Sequence, residues 1–313
     1  MLAVVLATYA PDRARLLRVL AALRSQTLPL TEWELCVVDN ASPEPLHPWL
    51  DLSWHPASQL MQEPEPGRLN ALITGSQACS HPLLVFVDDD TLLAPDYLEQ
   101  SLRLFHTHPQ VAVWSGQSVP EFAAPPPDWT RPWWPMLALT EFAEDELPDP
   151  WTPAHPLPHG AGMGVRHDLF KAYSAAYSPL STRALLGRRE KSLMSGEDHD
   201  LALFALTQGQ RVGRFTTLRL THLIPASRLT RPYLLQLATA MAASGQILAA
   251  LYPQLCQTRR PRYPHWLRVL WHFLKRPSFQ RSLRLAQLQG EKIGHRLLTQ
   301  SRVRPRIEIR QGR

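Results

Sequence analysis

Residues 83–90 read LLVFVDDD, five apolar side chains followed by three carboxylates. An uninterrupted apolar run of this kind suits a strand buried on both faces. Adjacent carboxylates repel one another, and an unpaired charge in a core is strongly unfavourable. The chain must therefore leave the core at Asp88 and meet water or a cation there. Two earlier runs end in a similar way: Leu2–Ala7 stops at Thr8, and Trp33–Val38 stops at Asp39. Helical patterns separate them. Pro11–Ser25 carries Leu16, Leu20 and Leu23 on one face, and Gly67–Cys79 and Pro95–Thr107 suit helices. Strand alternating with helix predicts an α/β chain with a mostly parallel central sheet and flanking helices. In such a sheet the carboxyl ends of the strands converge on one edge, where open α/β sheets bind ligands. The three aspartates then have two readings. They form a polar strand-to-helix loop, or they hold a hard divalent cation such as Mn2+ or Mg2+.

The remaining chain narrows the choice. Its 313 residues suffice for one large α/β domain with an appendage. Cys36, Cys79 and Cys256 form no CxxC pattern, and an odd, scattered set fits a reducing compartment. The first apolar run is too short for a secretion signal and suits a first strand. Leu234–Leu251, interrupted by Gln236, Ser244, Gly245 and Gln246, suits a buried or interfacial helix. Charge is unevenly spread. Residues 259–313 hold 15 Lys and Arg against 2 acids, whereas residues 1–258 hold 18 against 25.

Between Pro120 and Pro158 lie eleven prolines, together with Trp129, Trp133, Trp134 and Trp151. A long irregular excursion follows from the prolines. The tryptophans suit sugar-ring stacking or the covering of apolar surface. HGAGMGVR (159–166) is glycine-rich, and Asp168–Tyr177 suits a helix. Ser181–Ser195 shows no period and suits a loop that orders over a ligand. SGEDHDL (195–201) opens a helix running to about Gln208. Its two leading acids, Glu197 and Asp198, suit the helix dipole as well as chemistry. Arg211–Phe215 and Thr217–Thr221 suit short strands, the second followed by His222.

Taken in order, Thr8-Tyr9, VVDNAS (37–42), FVDDD (86–90), SGEDHDL and His222 resemble the family 2 inverting glycosyltransferases. The resemblance covers roughly residues 1–232. It implies a Rossmann-like GT-A fold, a nucleotide-diphosphosugar donor of UDP type, a hydroxyl acceptor and Mn2+ or Mg2+. It places Asp39 on the base of the nucleotide, Thr8 and Tyr9 in the turn that cradles it, and Arg68 and Asn70 beside base or ribose. Asp88 and Asp89 fall on the nucleotide, with Asp88 at the ribose hydroxyls or the metal shell. Asp90 falls on the metal. Asp198 takes the position of the general base, with Glu197 beside it. His222 completes a metal or diphosphate site, and Arg228 and Arg231 neutralise diphosphate. His159 and Gly160 resemble the acceptor-side loop, although GAGM stands where the family more often has GANM.

The expected domains are 1–232, with a nucleotide-binding half to 118, and a basic helical extension over 233–313. Within the extension, HWLRVLWHFLKR (265–276) and Gln280–Leu298 suit basic amphipathic helices, as at an anionic membrane surface. A cytoplasmic enzyme, peripheral on the inner face of the membrane and acting on a lipid-linked or surface glycan, follows as the expectation. No nucleic-acid motif accompanies the charge, so nucleic acid is not an expected partner. The rival readings are a non-catalytic nucleotide-sugar-binding scaffold, a peripheral membrane binder working through the tail, and a nucleotide-sugar hydrolase.

Overall fold

A computed structural model describes residues 1–178, 181–187, 193–256 and 278–300. The three apolar runs form β1 (Leu2–Thr8), β2 (Trp33–Asp39) and β4 (Leu83–Asp88), with β3 (Ser58–Gln62) beside β2. All seven residues of β1 are buried, as its central place between β2 and β4 demands. Parallel register pairs Thr8 with Asp39 and Ala7 with Asp88. The strand ends therefore meet at one edge because the three runs stop at the same level.

The helices fall where the apolar periodicity puts them: α1 (Arg13–Arg24), α2 (Arg68–Ala78) and α3 (Tyr97–Thr107). Asp12 caps α1, its Oδ1 accepting from the Arg15 amide at 3.0 Å. The second half adds β5 (Thr91–Leu93), β6 (Val111–Phe122), β7 (Met163–Arg166), α4 (His167–Ala175), α5 (Glu197–Thr207) and β8 (Arg211–Ile224). The eight strands form one sheet in the order β3-β2-β1-β4-β7-β6-β8-β5.

The sheet is mixed rather than uniformly parallel. β7 runs antiparallel to both β4 and β6, and β5 runs antiparallel to β8. The glycines of HGAGMGVR hide β7, whose Met163 and Val165 are fully buried. The two strands expected over 211–221 are one, β8, paired along β6 across an irregularity near Gly116. The proline-rich excursion contains a 3-10 stretch over Asp128–Leu137, and Trp129, Trp133 and Trp134 pack against Phe122, Phe279 and neighbouring aliphatic residues. Covering apolar surface is what these rings do here.

Two long helices finish the described chain, α6 (Arg231–Leu251) and α7 (Ser278–Gln300). Among the described residues, α6 is the one helix long and apolar enough to cross a membrane. It packs on α7 and on residues 182–186. The α6–α7 contact is unusually close because Gly290 and Gly294 face the backbone of α6. A Cβ on Gly290 would lie 2.1 Å from the carbonyl oxygen of Thr239, and one on Gly294 would lie 2.7 Å from that of Ala243. Gly290→Val is expected to force the helices apart and lower stability by about 1–3 kcal/mol, as overpacking does. A denaturant titration that leaves the midpoint unmoved would contradict that contact.

Tyr252, just past α6 and beyond the expected boundary at 232, bonds to Asp200 of α5. HWLRVLWHFLKR lies outside the described residues, as does part of the expected loop over 181–195.

Candidate active site

The site is the edge where β1, β2 and β4 end, closed by the first turn of α5. The turns after β1 and β2 hold one another: Ala10 and Ala41 both adopt left-handed backbone, at φ 43° and 60°, and the Ala10 amide donates to Ser42 Oγ at 2.8 Å. Non-glycine residues are uncommon in that region. Asn40 extends the brace. Its side chain donates to the carbonyl of Glu65 at 2.8 Å and accepts from the Gly67 amide at 2.8 Å, which fixes the start of α2. Asp39 is buried and lines an open cleft of about 530 Å³ with Leu46, His47, Leu60 and Gln62. One of its oxygens accepts from the Ser42 amide at 3.1 Å. A flat ring entering this cleft would meet apolar walls and a carboxylate acceptor.

Beyond β4 the three aspartates diverge. Asp88 accepts from Arg68 Nε at 2.7 Å. Asp89 turns back to Thr8, whose hydroxyl donates to it. Burial pushes the Asp89 carboxyl up to about 6, although the Thr8 hydrogen bond opposes the rise. Asp90 faces β8: its Oδ2 lies 2.9 Å from Arg228 Nη2 and 3.4 Å from His222 Nε2. The strand pairing of Thr91 with His222 sets that meeting.

Arg68 joins the two halves. Besides Asp88, its guanidinium reaches Glu197 Oε1 at 3.4 Å and donates to the Gly160 carbonyl at 3.3 Å. Burial alone would lower its basicity, but Asp88 and Glu197 outweigh that and raise it. Burial holds Glu197 above the ordinary carboxylate range, against the pull of Arg68. Asp198 behaves oppositely. Burial would raise it, yet His199, His159 and the His199 amide together hold it below its usual value. The Gly160 amide donates to Asp198 Oδ2 at 3.0 Å and the His199 amide to Oδ1 at 2.8 Å. The two adjacent acids are thus shifted in opposite directions, Glu197 up and Asp198 down. Arg68→Met is expected to cost about 3–5 kcal/mol, because it strands two largely buried carboxylates. Thermal unfolding would check it, and an unchanged midpoint would mean that the ion pairs contribute nothing.

The acceptor-side turn is built tightly. Gly162 has φ 66°, and a Cβ there would lie 2.5 Å from the Tyr97 hydroxyl, which donates to the Gly162 carbonyl at 2.7 Å. Behind α5, Asp200 is fully buried and accepts from Tyr173 at 2.7 Å, from Arg183 Nε at 3.1 Å and from the Tyr252 hydroxyl. Three segments, those of Tyr173, Arg183 and Tyr252, therefore fix the first turn that carries Asp198.

A family model, glycosyl transferase family 2, matches residues 3–173. The chain belongs to that family. No curated protein sequence matches this glycosyltransferase. Among solved structures, it is similar to the mannosyltransferase PcManGT from Pyrobaculum calidifontis in complex with GDP-Man and Mn2+, at 18% identity and TM-score 0.56, covering 96% of this chain and 74% of that one. It is also similar to S. aureus TarS 1-349, at 15% identity and TM-score 0.51, covering 96% and 91%. The TarS form in complex with UDP-GlcNAc gives the same figures. At these identities the likeness is one of fold, a mixed α/β sheet with flanking helices of GT-A type.

Within the glycosyltransferase, Thr8, Asp39, Arg68, Asp88, Asp89, Asp90, Gly160, Glu197, Asp198, His222 and Arg228 gather along this edge. Tyr9 stands exposed beside it. Arg231 sits differently, its guanidinium over the rings of Trp129 and Phe279 at 5.4 and 5.7 Å. Asn70 serves the turn before α2, donating to the carbonyls of Glu65 and Pro66 at 3.3 Å. His199 and Arg183 were not singled out from sequence; SGEDHDL displays the first openly.

The residues present fit a divalent ion. His222 Nδ1 is buried with no hydrogen-bond partner among the described residues, and Nε2 faces Asp90. A carboxylate oxygen and an imidazole nitrogen 3.4 Å apart suit neighbouring positions on one cation with bonds of about 2.1 Å. Arg228 has to turn aside to admit it.

Proposed function

We propose that the protein is a metal-dependent inverting glycosyltransferase that moves a sugar from a nucleoside-diphosphate sugar to a hydroxyl. The observation that carries this reading is the Arg68 bridge, which brings the acids at the end of β4 within reach of an ionised Asp198 on α5. Asp39 would accept from a ring N–H of the base in its cleft. Asp88 and Asp89, held by Arg68 and Thr8, would face the ribose. Asp90 and His222 would hold Mn2+ or Mg2+, which supplies charge neutralisation at the departing diphosphate. Arg228, released from Asp90, would take up part of the same negative charge.

Asp198 acts on the acceptor. Its carboxylate removes the hydroxyl proton as that oxygen attacks the anomeric carbon from the side opposite the leaving group. The two amides at 2.8 and 3.0 Å fix its orientation. Glu197 stands against the Arg68 guanidinium, which offsets its charge beside the attacking oxygen.

The donor class draws support from the UDP-GlcNAc and GDP-Man complexes of the two structural neighbours. The acceptor proposed is a lipid-linked or surface glycan at the cytoplasmic face of a membrane. It is supported by the 15 basic residues against 2 acids over 259–313. The test is a panel of nucleotide sugars with Mn2+, scored for nucleoside diphosphate release and for transfer to added glycan acceptors. Binding without turnover on any acceptor would favour a scaffold. Release without transfer would favour a hydrolase.

A further inference from the structure

Asp198 has two imidazole neighbours that the transfer reaction does not require. His159, Asp198 and His199 each offer one donor atom, and the three atoms lie within 4.8 Å of one another. His159 comes from the acceptor-side turn and His199 from the first turn of α5. Their rings are 6.0 Å apart and tilted by 38°. Neither ring makes a hydrogen bond among the described residues; His159 bonds only through its backbone amide, to Ser115 Oγ at 3.1 Å. Both oxygens of Asp198 accept an amide and each retains a free lone pair.

We propose that His159, Asp198 and His199 form a second cation site, selective for a borderline-soft ion such as Zn2+, which closes over the general base and stops transfer. The proposal rests on Asp198 being that base. Two nitrogens and one carboxylate oxygen are a zinc-type donor set and leave one position for water. The Asp90–His222 site completes itself with diphosphate oxygens and suits Mn2+ or Mg2+ instead. Neighbouring ligands of a tetrahedral zinc stand roughly 3.3 Å apart for bonds of about 2.0 Å, so the donors must draw in by about 1 Å or more. His159 and His199 are both only partly buried and carry no other bond to break. Zinc bound to one oxygen of Asp198 draws off the carboxylate's negative charge and occupies the space beside it, so the remaining lone pair is too weakly basic to receive the acceptor proton and binding competes with transfer.

The test uses Co2+ as a spectroscopic substitute for zinc on the full-length protein carrying Asp90→Ala, which removes the first metal site. One equivalent should bind with the intense visible bands of a four-coordinate ion. Adding His199→Ala should weaken binding by more than about 100-fold, the upper range for losing even an outer partner of a metal ligand. His199→Gln serves as a second variant, and circular dichroism verifies the fold of each. In the otherwise native enzyme, Zn2+ should inhibit transfer in competition with the acceptor, and His159→Asn or His199→Gln should relieve it, each rate compared with that of the same protein in Mn2+ without zinc. Absence of Co2+ bands in Asp90→Ala overturns the site, as do bands that survive the loss of His199. Zinc that occupies the native site, as shown by its loss with His199, yet leaves native transfer at full rate overturns the inhibition and removes Asp198 as the base.

Discussion

Asp198→Asn is expected to bind nucleotide as tightly as the native protein and to transfer sugar about 10²- to 10⁴-fold more slowly, the range a positioned general base contributes. The amide keeps an oxygen for one of the two backbone amides, Gly160 or His199, and turns its NH2 toward the other, so the first turn of α5 loses one hydrogen bond while the Asp200 contacts behind it remain, and circular dichroism verifies the fold. What it lacks is a site for the acceptor proton. The pH dependence gives the same prediction a second edge. His199, His159 and the nearby amide hold Asp198 below the ordinary carboxylate range despite its burial. A base is active when ionised, so the native rate should rise through that lowered value and stay level across neutral pH. In Asp198→Asn the acid limb should disappear with the rate. An unaltered transfer rate would end the proposed mechanism, and steady-state kinetics between about pH 3 and 8 read both effects.

Asp90→Ala should lose metal-dependent nucleotide binding. The native carboxylate faces both His222 and Arg228, so its removal takes one ligand from the cation and leaves Arg228 without its acid. Transfer should fall by about 10²-fold or more, because Lewis-acid stabilisation of a leaving diphosphate is worth several kcal/mol. Calorimetric titration with UDP and GDP, with and without Mn2+, reads the binding. Equal affinities in all four combinations, for native and variant alike, would sink the metal assignment.

The parts of this site visible in the sequence are those where local pattern and chemistry coincide. Asp39 and Asp88–Asp90 stand out because each ends an apolar run, and the level stop of three runs requires only a parallel sheet. Glu197 and Asp198 stand out because two acids open a helix. Other features depend on contacts between distant residues. Thr8 and Asp89 are 81 positions apart, and Arg68 and Glu197 are 129 apart. No periodicity announces such pairs. β7 escaped notice because two of its neighbours are glycines, β3 because its residues are half-exposed and polar, and β5 because three residues carry no pattern. Nor does the sequence show that the Arg231 guanidinium lies over the rings of Trp129 and Phe279.

The Asp200 cluster bears on where this chain can be cut. The family match stops at 173, and a natural-looking break falls near 232. A fragment ending at 173 would discard Asp198 itself, and one ending at 232 would discard Tyr252, whose hydroxyl serves a fully buried carboxylate two residues beyond Asp198. The longer fragment would carry every residue gathered at the site and still be poorly ordered at its base. A minimal expressible enzyme has to run past Tyr252, well beyond the residues that the family model matches.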